Sequence, residues 1–289
     1  MIYFVDQRRG AVIAMDSLDD GAAFRQVVVN PVTVGPLRLP GAIASNGDDR
    51  LFLADRGNDR IVIFDLASSE SEVLSLAGGT SGPLRQPSGV AAMPNGALLI
   101  ADTGNRRVVF LESLANANGL AFGSAGATAS GGFEAPTSVC ADPAGRILVA
   151  DPGADRLVRF AGPDGFGFEE IALPLGARPS RPYAIAAGPG DGLLITDLVN
   201  ARVLLLDQDD TITVMIDGMS DRSLIAPVSA AMSGDDVLIA DAAAGCLTRW
   251  RFDAGSASWK LAQRRDGRGG FRGGPTFSSL GGLTTVEQL

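Results

Sequence analysis

The chain contains no histidine among its 289 residues, and it has two cysteines and one lysine, Lys260. Histidine is the commonest general base near neutral pH and the commonest protein ligand for transition metals. Its absence excludes Ser-His-Asp and Cys-His catalysis and every histidine-bound metal site. The sequence therefore predicts no catalytic residue set and favours a binding function over an enzyme.

Disulfides, leaders and long apolar runs are also missing. Cys140 and Cys246 are too few for a disulfide framework and are typical of a reducing compartment. No charged-then-apolar leader opens the sequence, and no apolar run is long enough to cross a bilayer. We expect a cytoplasmic protein without a membrane partner. The net charge of −9, spread along the chain, makes nucleic acid an unlikely partner as well.

What the sequence does contain is one pattern in six copies, a short apolar strand that ends in aspartate and is followed by a turn and a second strand. The copies read, for example, LFLADRGNDRIVIF and LLIADTGNRRVVFL. A separation of 44 to 49 residues between successive copies suits a four-stranded propeller blade. The anchor aspartates are Asp6, Asp55, Asp102, Asp151, Asp197 and Asp241.

A proline at a fixed distance before each later aspartate sets the register of the repeat. The distance is 15 residues for Pro40, Pro87, Pro136 and Pro182, and 14 residues for Pro227. Small residues follow each proline, as expected for inner strands that converge on a channel. We therefore predict an all-β fold in which residues 1–289 form a single six-bladed β-propeller, each blade having strands a to d.

The turn segments Asp55–Arg60 (DRGNDR) and Asp102–Arg107 (DTGNRR), with the proline and small residues before them, resemble the NHL repeat. The resemblance extends over nearly the whole chain and implies a propeller whose relatives commonly serve as interaction scaffolds. The pattern departs at Ala154, which replaces the turn asparagine, and in the last copy at Ala244 and Cys246.

The chain begins on a strand b, so its first blade needs a strand a from elsewhere. Residues 275–280, PTFSSL, follow a glycine-rich linker and have no strand b after them. We expect this segment to be the missing strand, so that blade 1 combines both ends of the chain and closes the ring.

Carboxylates that recur in every repeat are read as structural, although carboxylates also bind metals and catalyse proton transfer. An aspartate at a strand end accepts hydrogen bonds from turn N–H groups. An arginine five residues later can pair with it across the hairpin. The expected structural pairs are Asp55 with Arg60, Asp102 with Arg107, Asp151 with Arg156, and Asp197 with Arg202.

Arginines recur in the b–c turns and in the linkers between blades, which emerge on one face of a propeller. Such a face recognises carboxylates or phosphates even though the whole molecule is acidic. We hypothesise that it binds a protein partner through an acidic segment. The candidate residues are Arg38, Arg56, Arg85, Arg106, Arg181 and Arg272.

Two alternatives remain open from the sequence. The first is a lactonase-like or other metal-dependent enzyme with calcium held by carboxylates in the channel, although no glutamate occurs on the predicted inner strands. The second is an RNA-binding NHL module, suggested by the Arg- and Gly-rich segment 264–274 but also explained by a linker there. The preferred interpretation, a non-catalytic scaffold, predicts no cofactor.

Overall fold

The computed structural model is all-β, with six sheets of mainly antiparallel strands arranged in a ring. This confirms the six-bladed propeller predicted from the repeats. The residues that the structure describes are 1–19, 24–27, 33–47, 49–74, 76, 78–79, 82–93, 95–115, 118–123, 132–171, 181–218, 222–266 and 280–285.

Each blade runs from an inner strand a to an outer strand d. The strands of blade 1 are β25 (Leu280–Thr285), β1 (Ile2–Asp6), β2 (Ala11–Met15) and β3 (Phe24–Val27). Those of blade 2 are β4 (Pro40–Ser45), β5 (Arg50–Asp55), β6 (Arg60–Asp65) and β7 (Ser71–Val73). Those of blade 3 are β9 (Gly89–Ala92), β10 (Leu98–Asp102), β11 (Arg107–Leu111) and β12 (Asn118–Phe122), with a short parallel strand β8 (Gly78–Gly79) beside β12.

The other three blades follow the same order. The strands of blade 4 are β13 (Ser138–Ala141), β14 (Ile147–Asp151), β15 (Arg156–Phe160) and β16 (Glu169–Glu170). Those of blade 5 are β17 (Pro182–Ala187), β18 (Leu193–Asp197), β19 (Arg202–Leu206) and β20 (Ile212–Asp217). Those of blade 6 are β21 (Pro227–Ser233), β22 (Asp236–Asp241), β23 (Cys246–Asp253) and β24 (Ser258–Asp266).

Strand b is buried on both sides because each blade is packed between two neighbours. Successive side chains of a strand point to opposite sides of its sheet. In β1, Ile2 and Phe4 therefore pack toward blade 6, while Tyr3 and Val5 pack toward blade 2. Six apolar clusters of this kind fill the six seams, so the core is a ring of side chains between blades.

The inner strands approach one another so closely that backbone meets backbone. A Cβ atom on Gly89 would lie 2.6 Å from the carbonyl oxygen of Thr137 on the next blade. A Cβ atom on Gly41 would lie 2.9 Å from the carbonyl oxygen of Ser88. The small residues that follow the repeat prolines are thus required by contact between adjacent blades.

The ring closes through both ends of the chain, as predicted. β25 pairs with β1 in an antiparallel register in which Leu280 faces Asp6 and Leu283 faces Phe4. Leu280 occupies the position that Pro40 occupies opposite Asp55 in blade 2. Closure of blade 1 by a C-terminal strand is confirmed, with Leu280 as the first described residue of that strand, and residues 275–279 of the predicted segment lie outside the described residues.

Helical structure within the described part of the chain is limited to three one-turn 3₁₀ helices, at Arg56–Asn58, Thr103–Asn105 and Pro189–Asp191. The first two form the b–c turns of blades 2 and 3. None of these helices has the length and apolar character needed to cross a membrane.

Candidate functional site

The carboxylate of Asp102 connects three parts of blade 3. It accepts hydrogen bonds from the backbone N–H of Arg85 in the preceding linker, at 2.7 Å, and from Asn105 Nδ2 in the b–c turn, at 2.8 Å. Arg107 Nε at the start of strand c donates a third, at 2.7 Å. Arg107 Nη2 also binds the carbonyl oxygen of Pro83, at 3.0 Å. A single buried aspartate thus holds linker, turn and strand together.

The pair of aspartate and arginine recurs in blades 2, 4 and 5, because the first residue of strand c faces the anchor aspartate across the hairpin. All four aspartates are fully buried. The Nε to Oδ2 distances are 2.7 Å for Arg60 and Asp55, 2.7 Å for Arg107 and Asp102, 3.3 Å for Arg156 and Asp151, and 2.8 Å for Arg202 and Asp197.

Sequence reasoning missed the role of the turn asparagine. The side-chain amides of Asn58, Asn105 and Asn200 donate to their anchor carboxylates at 2.7, 2.8 and 2.7 Å. The repeated spacing of three residues after the aspartate was a visible signal. The amides of Asn58 and Asn105 also donate to linker carbonyl oxygens, of Pro36 and Pro83.

The surface formed by the b–c turns and the linkers, here called the linker face, carries the predicted arginines. Arg38 and Arg85 occupy equivalent linker positions, and each donates its backbone N–H to the anchor aspartate of its blade at 2.7 Å. The carbonyl oxygens of the same two residues accept hydrogen bonds from Gly57 and Gly104 in the turns, at 2.7 and 2.8 Å. The backbones that carry these side chains are therefore fixed.

Hydrogen bonds between neighbouring blades make the linker face continuous. Gln86 donates its backbone N–H to Asp59 at 2.7 Å, and Arg181 donates its own to Asp155 at 2.6 Å. Arg106 Nε donates to the carbonyl oxygen of Glu134 at 3.1 Å. The side chains of Arg38, Arg56, Arg85, Arg106 and Arg181 are all exposed, while Arg272 lies outside the described residues.

The two faces of the ring differ in charge. On the linker face of the described chain, exposed arginines outnumber exposed acidic residues, which include Asp59, Glu134, Asp217 and Asp266. The exposed arginines of this face are Arg8, Arg9, Arg38, Arg56, Arg85, Arg106, Arg181 and Arg222. The opposite face, formed by the a–b and c–d turns, exposes Asp16, Asp19, Asp49, Asp164, Asp191, Asp209, Asp210 and Asp235.

A cavity of about 790 Å³ lies at the centre of the ring, lined by the inner strands of all six blades. Gln7 and Arg56 line its mouth on the linker face. Asn95, Asp142 and Asp191 line its mouth on the opposite face. Between the mouths the wall is mostly apolar and small, with residues such as Ala44, Val90, Ala91, Val139, Ala186, Val228 and Ala230.

Three hydroxyl groups of the wall join neighbouring blades. Thr137 Oγ1 donates to the carbonyl oxygen of Tyr183 at 2.7 Å, and Ser138 Oγ accepts from the N–H of Ile185 at 3.1 Å. Ser229 Oγ accepts from the N–H of Leu283 at 3.1 Å, across the closing seam. The cavity wall therefore offers few free polar groups.

The titratable groups of the cavity do not form a reactive cluster. Desolvation raises the pKa of the Cys140 thiol to about 12, so this wall residue stays a neutral thiol at pH 7. Within the described part of the chain, no group of three Cys, Asp or Glu residues is arranged to hold a metal ion.

Comparisons with known proteins agree with this architecture. The profile of the NHL repeat matches residues 84–109, which span the linker, inner strand and b–c turn of blade 3. A search of curated protein sequences finds no significant match.

Solved structures of similar fold include a binding complex and enzymes. A chain of a nidogen/laminin complex superposes with a TM-score of 0.73 at 14% identity, covering 98% of this chain and 97% of that one. A streptogramin B lyase gives 0.59 at 14% identity, covering 90% and 73%. A virginiamycin B lyase from Staphylococcus aureus gives 0.59 at 15% identity, covering 78% and 69%. Identities this low establish the fold alone.

Proposed function

Because the chain is an NHL-repeat six-bladed β-propeller, we propose that it is a non-catalytic scaffold whose linker face binds an acidic segment of a protein partner. The observation that carries this proposal is the set of exposed arginines on one face of an otherwise acidic molecule. Guanidinium groups bind carboxylates in a bidentate manner, and a local basic patch steers an acidic partner toward it.

Rigid support for these arginines favours binding over an ordinary solvated surface. Arg38 and Arg85 are tied through their N–H groups to buried aspartates, and Arg181 is tied to Asp155. A preorganised surface loses less conformational entropy when a partner binds. The anchors are therefore proposed as structural residues that hold the partner-binding arginines.

The comparisons support a binding role for this chain more than a lyase role. The nidogen/laminin neighbour is described as a complex of two proteins. A variant of the virginiamycin B lyase in which a histidine is replaced by alanine is described as catalytically inactive. The present chain contains no histidine, so that chemistry has no counterpart in it.

The test is charge reversal of the linker face, with Arg38→Glu, Arg85→Glu and Arg181→Glu combined. The probe is a fluorescein-labelled peptide of alternating Asp and Gly, measured by anisotropy across a salt titration. Each lost charge-assisted hydrogen bond costs about 1.5–3 kcal/mol, so we expect binding to weaken at least a hundredfold. Wild-type binding should also weaken with salt, because surface charges are screened.

A matched control makes the same charge change on the opposite face, with Arg50→Glu, Arg251→Glu and Lys260→Glu combined. It should bind the peptide nearly as tightly as the wild type. Equal binding by the wild type, the linker-face variant and the opposite-face variant would show that the linker face is not the binding surface. Tighter binding of mixed single-stranded RNA than of the peptide by the wild type would favour the RNA-binding alternative.

A further inference from the structure

The cavity mouth on the linker face contains a cation, the guanidinium of Arg56. Arg56 begins the b–c turn of blade 2, and its side chain is exposed and lines the cavity. Among the described residues its guanidinium makes no hydrogen bond or ion pair, whereas Arg60 in the same turn is bound to Asp55. Arg56 is therefore available to an anion at this mouth.

The other mouth is acidic, and its charges are arranged differently. Asp142 accepts hydrogen bonds from Arg146, at 2.9 Å from the backbone N–H and 2.6 Å from Nε. Asp191 is exposed and accepts a longer hydrogen bond of 3.3 Å from Gln208. Asp49 and Asp235 are exposed in other a–b turns of the same face. An anionic group entering the cavity is thus attracted to one end and repelled from the other.

Between these ends the wall is suited to an apolar body. Ala91, Ala186, Val139 and Val228 line it, and the hydroxyls of Ser138 and Ser229 are engaged between blades. A volume of about 790 Å³ lies within the range of pockets that bury small molecules. A mostly apolar wall with a cation at one mouth favours an amphiphile over a sugar or a nucleotide.

We propose that the central cavity binds a monoanionic amphiphile of the long-chain carboxylate class. Its apolar chain lies along the inner strands, and its carboxylate pairs with Arg56. Arg56 is also one of the candidate arginines of the linker face, but the charge-reversal variant of that face changes Arg38, Arg85 and Arg181 and leaves Arg56 in place. The two proposed functions can therefore be tested separately.

The test compares laurate with dodecanol, by calorimetric titration of the full chain at a concentration below the micelle limit. Laurate should bind the wild type ten- to a hundredfold more tightly than dodecanol, because it alone pairs with Arg56. In Arg56→Glu the preference for laurate should disappear while dodecanol binding is unchanged. Arg56 is exposed, so this variant should fold normally.

Two further variants separate a loss of the pairing with Arg56 from a general change of charge and from a loss of cavity volume. Arg106→Glu makes the same charge change on the linker face outside the cavity lining and should retain the preference for laurate. Ala186→Phe reduces the cavity and should weaken both ligands. The proposal is overturned if laurate does not bind the wild type, or if Arg56→Glu and Arg106→Glu weaken laurate equally. A loss of peptide binding in the linker-face variant with laurate binding intact would leave this proposal standing without the scaffold.

Discussion

Blades 2 to 5 differ from blades 1 and 6, which meet at the closing seam, in the residues that bind the buried anchor aspartate. In blades 2 to 5 the anchor aspartate pairs with an arginine that begins strand c. In blade 6 the position of that arginine is taken by Cys246. Within the described chain Asp241 accepts hydrogen bonds from the backbone N–H groups of Ile225, Ala226 and Ala244, at 2.5, 3.1 and 2.8 Å. In blade 1 Ala11 takes the same position.

What all six blades retain is the buried aspartate. In blades 2, 3, 4 and 6 its oxygens accept hydrogen bonds from N–H groups of the linker, and in blades 1, 5 and 6 from N–H groups of the turn. The arginine adds hydrogen bonds to carbonyl oxygens of the linker. In blades 1 and 6, where the two chain ends meet, another residue takes its position. The aspartate is therefore the requirement of the fold, and the arginine is a supplement.

The largest effect is expected from removing the closing strand. A chain that ends at Gly274 loses β25 and leaves the inner edge of β1 and the seam residue Ile2 exposed. We expect the melting temperature to fall by more than about 10 °C, because several kcal/mol of burial and pairing are lost. The control is a chain that ends at Thr285 and keeps β25. Equal melting temperatures for the two would contradict closure through this strand.

The contribution of the anchor aspartate to stability can be compared between a blade that has the arginine and a blade that lacks it. Asp102→Ala leaves Arg107, whose side chain is 12% exposed, without its carboxylate. Breaking such a pair costs about 3–5 kcal/mol. Asp241→Ala leaves only N–H groups unsatisfied and should cost less, about 1–3 kcal/mol. Urea unfolding of both variants provides the comparison, and a larger loss for Asp241→Ala would contradict the proposed ranking.

In blade 4 a substitution is expected to raise the free energy of unfolding instead of lowering it. It has the aspartate and the arginine, but Ala154 stands where blades 2, 3 and 5 have asparagine. Asp155 has a positive φ of 53°, close to the 57° of Asp59 in blade 2, so the turn backbones match. Ala154→Asn should add a hydrogen bond to Asp151 and raise stability by about 1 kcal/mol. Ala244→Asn makes the same change in blade 6, which has no arginine at the start of strand c. Urea unfolding of both variants shows whether the gain in stability from the asparagine requires the arginine.

The smallest effect concerns an ion pair between blades 4 and 5. Arg159 donates to Asp210 at 2.8 Å and to Glu169 at 2.8 Å. The hydrogen bond from Arg159 is the largest cause that lowers the pKa of Asp210. Because the folded pKa lies below the unfolded value near 3.9, this stabilisation is complete above that pH and is lost as the pH falls through the folded pKa.

Asp210→Asn should therefore lower stability slightly at pH 7 and have a smaller effect at pH 3. The carboxylate is 41% exposed, so solvent weakens the pair. Urea midpoints at pH 7, 4 and 3 measure the difference. A destabilisation that is the same at all three values would assign the effect to packing instead of charge.

The sequence was sufficient for the number and order of the blades because strand, turn and proline recur together. It did not give the register of the closing strand against β1. There the register follows the pairing of Leu280 with Asp6 and of Leu283 with Phe4, a contact between the two ends of the chain. Pairing across such a distance leaves no trace in the spacing of one repeat.

The candidate site was only partly accessible from the sequence. Topology alone predicted that turn and linker arginines share a face, but not that Arg56 lines the cavity while Arg106 binds the carbonyl oxygen of Glu134. Those details depend on side-chain direction. The acidic opposite face was equally hidden, because its aspartates are scattered along the chain and converge only in the folded ring.

The tight seams between inner strands have a mechanical consequence. Where Gly41 and Gly89 meet the neighbouring blades, the contact is made by main-chain atoms. Rotation of a side chain therefore cannot alter the bore of the ring at these points. A change of the bore at these points requires the backbone of one blade to move against the backbone of the next.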